Sequence, residues 1–540
     1  MRKLGFVLAA LVAGGVVRDA GATRHYISPT GNNSNAGTIG SPWKSLNRAD
    51  DAPMSNDTLY CQGGVYADTL DSFSGSQSEN LLITSYPDTV AVFQSHGKDF
   101  SDDASGRFRV FYDLQPCTTL RRIQILVDST TVSGDVAIEC GERVTLDSVT
   151  VVSKVNHGGG GAFQLENAVI LNGPGCTVVR CDLRGAGSPD SASATGSVLL
   201  ANADRQLIYN NRLSSGSMVV INVKASTGSI VRNNTITSAV GAGIYCGTRN
   251  LIEANTVTGA GKDSAVPAIN FPGIVADGDS SIIRFNLIYS NTYAGARIVG
   301  LHNRFYNNDV WGNGLSGVST KSSTSAGNKI LNNVIAHNMT AVTPGGTTDG
   351  EIETGSGSDL IGKNNLFANN WVVVYTSAAW VANSIHAVYV DSLADDTSVS
   401  ARQTARPSLF KSNANTRTAE IVTDASTYDF RPVSGSALLN AGRPVAYSSV
   451  YGNRLKSIEV DDAIGFWLGD AISVGTGSFT VLGVDVVRRT LSLSGDASWI
   501  RSEPVSHLFT GSAPEVGAYE YYVSSASIPI GRQRPEIVEP

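Results

Sequence analysis

Lys224, Tyr245, Asp277, Arg297 and Lys321 stand at corresponding points of successive short apolar segments, spaced 20 to 32 residues apart. Together they hold the parts needed to remove a proton beside a sugar carboxylate. Lys224, Arg297 or Lys321 supplies a base or a positive charge for the developing anion, and Tyr245 supplies a proton donor. Asp277 and Asp279 are oxygen ligands of the kind that hold calcium, the one cofactor this chemistry suggests. Glu139, Asn222 and Ser319 fall on the same side and are read as contacts to substrate. The competing reading is a solvated face whose charges keep the protein soluble.

Other chemistries find fewer parts. Hydrolysis of a glycosidic bond needs two carboxylates at about 5 to 9.5 Å, and Asp277-Gly278-Asp279 is the one such phrase, equally suited to a turn. The run His157-Gly158-Gly159-Gly160-Gly161 reads as a linker, and His302 as a surface or core-edge residue. Six cysteines (Cys61, Cys117, Cys140, Cys176, Cys181, Cys246) lack CxxC or Cys/His zinc spacing. An exported chain permits disulfides among them, with 15 possible pairings that sequence leaves open.

The elements that must position these side chains are strands. "VVINVK" (219–224), "GIYC" (243–246), "GIVAD" (273–277), "ARIV" (296–299) and "GVSTK" (317–321) alternate, so that Val219, Ile221, Val223, Ile244, Cys246, Ile274, Ala276, Ile298, Val318 and Thr320 point inward and the polar set points outward. After each comes a repeated phrase, such as "LIYNNRLSS" ending at Ser215 and "IVRNNTITS" ending at Ser238. Aligning the phrases puts Asn211, Asn234, Asn255, Asn286, Asn308, Asn333 and Asn365 in one column, preceded by Arg121, Asp147 and Cys181. Two positions later every copy is apolar, from Ile123, Val149 and Leu183 through to Ile335 and Phe367. Copies 21 to 34 residues apart fit a coil of two or three short strands, stacked on the next coil at about 4.8 Å. Stacked asparagines then form an amide ladder at a turn. The chain is read as all-β, a right-handed parallel β-helix of about ten or more coils.

Composition agrees. The 540 residues include 56 Gly and only 16% charged residues, with a net charge of −7 and no basic block. Nucleic acid is therefore excluded as a partner, and a polysaccharide is expected. Met1-Arg2-Lys3, the apolar Leu4 to Val17 and Ala20-Gly21-Ala22 read as a secretion signal over 1–22, too short to span a bilayer. The product is expected to be secreted, extracellular or periplasmic, free or held at the cell surface, without a membrane span, and monomeric. Residues 23–115 form the cap and first coils, with Trp43 as a plug over the open apolar end. Regular coils occupy 116–375 and closing coils 376–452. Within 453–523, "DAISVGTGSFTVLGVDVVRRTLSLSG" alternates as antiparallel strands and is read as a small inserted subdomain with a closing strand. Residues 524–540 form a Pro-containing tail, expected to be mobile.

"YISPTGNNSNAGTIGSPWKSLNRA", "YDFRPVSGSALLNAG" and "PEVGAYEY" resemble the opening and closing phrases of secreted bacterial β-helix proteins of the pectate-lyase-like superfamily. The likeness extends over nearly the whole mature chain. Locally, residues 221–259 resemble the active-site stretch of the polysaccharide lyases that include chondroitinase B and alginate lyases. Lys224 matches the lysine of that motif with a one-residue difference in spacing. The arginine position falls on Cys246, and the acidic calcium ligands before the lysine fall on Ser217 and Val219. The resemblance implies an extracellular carbohydrate-active protein, a lyase on an acidic glycan, but not by that family's full set of groups. A non-catalytic, glycan-binding surface protein is the alternative, and a glycoside hydrolase the second.

Overall fold

Strands of three to five residues, each with a buried, mainly apolar alternate face, dictate how this chain packs. A strand so short cannot bury its apolar residues alone, so it stacks on its counterparts in neighbouring coils. The computed structural model describes residues 22–66, 73, 80–95, 110–127, 136–153, 167–186, 196–216, 219–261, 271–320, 322, 324–338, 340, 350–354, 366–368, 370–373, 386–390, 410–411, 414–415, 422–424, 429–436, 438–509, 511–520 and 528–529. Three long sheets result, with 14, 13 and 11 strands, every neighbour within them parallel and taken from successive coils. The chain is a parallel β-helix. Each coil visits the first sheet (for example Leu207–Tyr209), the second (Arg212–Gly216) and the third (Val219–Val223) in turn. The expected signal segment lies outside the described residues apart from Ala22, and among the described residues no helix is long and apolar enough to cross a membrane.

The first coil is closed at its lower end. Ser45 caps a five-residue helix, Leu46–Asp50, by accepting from Arg48 N–H, and the helix buries Leu46 and Ala49. Trp43 is 4% exposed, packs in the same core and donates from its indole N–H to Asn35 carbonyl at 2.9 Å.

Three ladders run along the corners of the coils. In the first, Asn211, Asn234, Asn255, Asn286, Asn308, Asn333 and Asn370 stack, each Oδ1 accepting from the backbone N–H of the residue one coil earlier at 2.8–3.1 Å. Their Nδ2 groups donate to the next Asn and to a first-sheet carbonyl, so the buried amides are satisfied. The last member is Asn370, not Asn365. Phe367 lies beside Ile330 in the first sheet and Val372 beside Ile335 in the second. The sequence repeats its Asn-x-apolar phrase five residues apart here, and only the pairing of two sheets at once decides between them. At the other end the column continues to Cys181 and then Val149 and Ile123, two positions beyond Asp147 and Arg121, which lie on the first sheet. A slip of two preserves the in–out alternation of a strand, so periodicity alone does not reveal it.

From Cys181 to Asn333 the residue before the ladder position is left-handed whatever its type: Arg180, Asn210, Asn233, Ala254, Phe285, Asn307 and Asn332 have φ between 51° and 57°. The corner geometry imposes this, at about 1–2 kcal/mol for a non-glycine residue, and the ladder bonds offset it. A second ladder links Ala260, Asn291, Asn313, Asn338 and Glu351. A third runs Cys176, Gln206, Ser229, Asn250, Ser281, Asn303, Asn328. All six cysteines are free thiols.

A six-stranded antiparallel sheet between Ala446 and His507 forms the expected subdomain and packs on the outward side of the first sheet. Its apolar residues Val445, Phe466 and Val505 meet Ile282, Phe285 and Tyr306. Arg284, fully buried, lies at the centre of the contact. Its guanidinium grips Asp470 through two bonds of 2.7 and 2.8 Å and Glu253 through a third of 2.6 Å. Nearby, Arg304 and Lys329 both reach Asp462. Burial opposes the Asp462 charge, but these two cations more than offset it and hold the carboxyl below its usual value.

Two outcomes test this architecture. Asn255→Ala removes four side-chain bonds and orphans the buried Asn234 N–H; it is expected to lower stability by about 3 kcal/mol, read as a lower urea midpoint with an unchanged slope. Asp470→Ala removes the bidentate partner of the buried Arg284, leaves Glu253 alone to offset its charge, and is expected to cost about 3 kcal/mol, read in the same way.

Candidate functional site

The third sheet carries the candidate site. Its strands alternate as the sequence required: Val219, Ile221, Val223, Ile244, Cys246, Ile274, Ala276, Ile298 and Val318 are all buried. One outward row runs in register through Glu139, Ile170, Leu200, Asn222, Tyr245, Val275, Arg297 and Ser319. A second row lies just past the strand ends. There Lys224 follows Val223, Gly247 follows Cys246 and Asp277 follows Ala276, three residues stacked by the pairing of those strands.

Gly247 explains why two charges from alternate coils meet. A Cβ at that position would lie 2.0 Å from the Lys224 carbonyl oxygen, so no larger residue fits. Lys224 and Asp277 therefore have no side chain between them, and Lys224 Nζ reaches Asp277 Oδ2 at 2.9 Å. Tyr245, from the intervening coil, leans into the same point. Its hydroxyl donates to Asp277 Oδ2 at 3.0 Å and accepts from Lys224 Nζ at 3.0 Å. The ammonium also lies 4.8 Å from the tyrosine ring centroid, a cation–π contact. Asn222 Oδ1 accepts from the Lys224 backbone N–H at 3.1 Å and orients the turn.

This arrangement fixes protonation states. The bonds to Asp277 and then to Tyr245 raise the Lys224 pKa above its ordinary value. Burial raises that of Tyr245, with Lys224 pulling the other way. At neutral pH Lys224 is an ammonium and Tyr245 a phenol. Lys224 is thus poorly suited to be the base the sequence allowed, and well suited to be a fixed positive charge beside a phenolic donor. The Cys246 thiol, where the lyase motif has an arginine, faces the core and is pushed up to about 12 by burial.

The other expected residues separate. Arg297 keeps its place in the outward row, between Val275 and Ser319. Ser319 is 4% exposed, so it is not the open substrate contact expected of it. Lys321 lies outside the described residues, as do His157 and its glycine run. Glu139 is in the row but three coils below Asn222, about 14 Å away at the strand spacing. Its Oε1 accepts from Asn172 Nδ2 at 2.6 Å, and Asn172 Oδ1 accepts from Asn202 Nδ2 at 2.9 Å. These two amides continue the Lys224 row downward. Sequence reading missed them, although each directly follows a strand's last inward residue, Leu171 and Ala201. Asp279 turns away from Asp277 and accepts the Leu301 backbone N–H at 2.7 Å. Asp277 is engaged by Lys224 and Tyr245, so the two carboxylates read as calcium ligands have different partners here. Among the described residues no three His, Cys, Asp or Glu side chains are grouped to hold a metal ion.

No family model matches the sequence, and no curated protein does. Among solved structures, the mannuronan C-5 epimerase AlgE6 A-module of Azotobacter vinelandii is similar at 16% identity, covering 68% of this chain and 86% of that one with a TM-score of 0.38. XylC in complex with xylose gives 9% identity, 94% and 100% coverage and a TM-score of 0.44. Pectate lyase Pel9A gives 13%, 79%, 94% and 0.34. At such identities and scores the architecture stands on the strand registers above, and no activity is carried across.

One titration checks the geometry. A group whose folded pKa is raised adds stability that is complete below its unfolded value, about 10.4 for lysine, and lost as pH rises through the folded value. The Lys224 ammonium is therefore expected to stay protonated above pH 10.4, followed by NMR of the lysine side chain, and Asp277→Asn is expected to return it to the ordinary range.

Proposed function

We propose that this chain is an extracellular carbohydrate-active β-helix protein that takes an acidic polysaccharide along the outward face of its third sheet. The observation that carries the proposal is the Lys224 ammonium, held half-exposed between the Tyr245 hydroxyl and the Asp277 carboxylate. A lysine already paired keeps its charge and its position, and a sugar carboxylate approaching it meets a preorganised cation. Around it the row offers what a sugar ring needs. Ile170, Leu200, Val275 and the Tyr245 ring present apolar surface for C–H faces, and Asn222, Asn202 and Asn172 present amides for hydroxyls. From the Glu139 coil to the Asp277 coil the track crosses five strand spacings, about 24 Å. That length suits a polymer more than a single sugar. Arg297, one coil beyond Val275, gives the track a second positive charge.

Binding is the primary reading, because the charged Lys224 does not accept a proton. The lyase reading keeps one observation in its favour. The Tyr245 hydroxyl sits between ammonium and carboxylate. In that reading Asp277 would take the proton beside the sugar carboxylate, its electron pair would form the double bond as the glycosidic bond breaks, and Tyr245 would hand its proton to the leaving oxygen, with the phenolate held by the Lys224 ammonium.

The two are separated by incubating the protein with alginate, pectate and chondroitin, with and without calcium. Retardation in gels containing an acidic polymer, weakened at least tenfold by Lys224→Ala, is the expected result. No retardation by any of them refutes the proposal. Absorbance of an unsaturated product, abolished by Tyr245→Phe, establishes the lyase reading.

A further inference from the structure

The hairpin joining Gly477–Asp485 to Thr490–Trp499 ends in a four-residue turn, Val486-Val487-Arg488-Arg489. Exposed turns are ordinarily built from Gly, Asn, Asp and Ser, whose side chains either tolerate left-handed backbone or bond to it. Two β-branched valines bring neither property. Both point outward, Val487 at 93% exposure and Val486 at 44%, and Leu482 on the same hairpin is 58% exposed. The tip is nonetheless held in shape. Asp485 Oδ1 accepts the Arg488 backbone N–H at 2.9 Å. Arg489 takes the left-handed conformation at φ 53°, and its carbonyl accepts from Val460 N–H at 2.8 Å. The Arg488 side chain is 83% exposed, and the nearby Asp485 carboxylate stands 3.9 Å off. A shaped, rigid loop thus presents an apolar point with a cationic collar. Docking of the same subdomain to the solenoid is made by Asp462, Asp470 and His507, not by the tip residues.

We propose that this hairpin tip docks the protein on an anionic lipid surface, with Val486 and Val487 at the boundary between headgroups and acyl chains and Arg488 and Arg489 at the phosphates. Apolar residues flanked by arginines match the depth profile of such an interface, where buried apolar area and attraction to anionic headgroups add. An acidic polysaccharide would meet the arginines, but a convex four-residue tip offers no extended face along which successive sugar rings could lie. A stable protein partner needs a patch of several hundred Å² on each side, far more than one turn supplies. Binding by a single tip is weak and reversible, a tether and not an insertion. It would leave the Lys224 face of the third sheet free, since the subdomain covers the first sheet. The inference does not depend on the glycan reading.

The full-length protein is sedimented with vesicles of phosphatidylcholine alone and of phosphatidylcholine with phosphatidylglycerol, at low and physiological salt. The expected result is binding to the anionic vesicles only, reduced by salt. Val486→Asp with Val487→Asp is expected to lower it at least tenfold, and Arg488→Ala with Arg489→Ala to lower it and remove the salt dependence. Near-UV circular dichroism confirms that these exposed substitutions leave the fold intact. No binding of the unaltered protein, equal binding to neutral vesicles, or binding undiminished by the valine substitutions overturns the proposal.

Discussion

Every coil of this protein must satisfy its buried polar groups with the coil above or below it, because nothing else is within reach. The strand ladders do so along the sheets. At the corners the backbone turns, sheet bonding stops, and side-chain amides and hydroxyls take over from coil to coil. The three corner ladders are therefore what permits the corner turns, typically two residues long at the first corner and longer at the other two, to be buried at all. They also fix the register. An amide that accepts from both the backbone and the side chain of its neighbour tolerates no axial slip, so residues two dozen positions apart are held as vertical neighbours. The Lys224, Tyr245 and Asp277 trio inherits its geometry from that constraint, since its members come from three different coils.

Most of the architecture was legible because the repeat writes the same physics many times. Alternation identified the inward set of the third sheet residue by residue, and the asparagine column marked the corner. What failed to show was the phase at the column's ends. Asn365 and Asn370 offer the same local phrase, and Asp147 and Val149 the same alternation, so choosing between them takes contacts in a second sheet that a single strand's pattern does not contain. The site was legible in part for a related reason. Rows follow from register, so Tyr245 and Arg297 fell into line. The decisive partner, Gly247, carries no chemical signal. Only its close approach to the Lys224 carbonyl shows that it must be empty, and that this vacancy brings ammonium and carboxylate together.

The C-terminal subdomain is fastened by a different principle. Its strands are antiparallel and cannot extend the solenoid, so contact is made through side chains on the outward side of the first sheet. Apolar packing supplies area, while Arg284 with Glu253 and Asp470 supplies an address. Buried ion pairs add little net stability but penalise misplacement severely, because a shifted partner leaves a charge without water or counter-charge. Sequence could not announce this contact. Glu253 and Asp470 are 217 residues apart, and each alone looks like an ordinary surface acid.

The corner ladders bear on how such a chain changes length over generations. Each member speaks only to the coil on either side, so excising one whole turn of the solenoid rejoins an asparagine to an asparagine and an isoleucine to an isoleucine, and the scaffold closes up with its bonding complete. Replacing a single ladder amide spoils two junctions at once. Growth and shrinkage by whole modules are thus gentler on this scaffold than point change at its corners, and the reach of the outward track would be reset by the same editing.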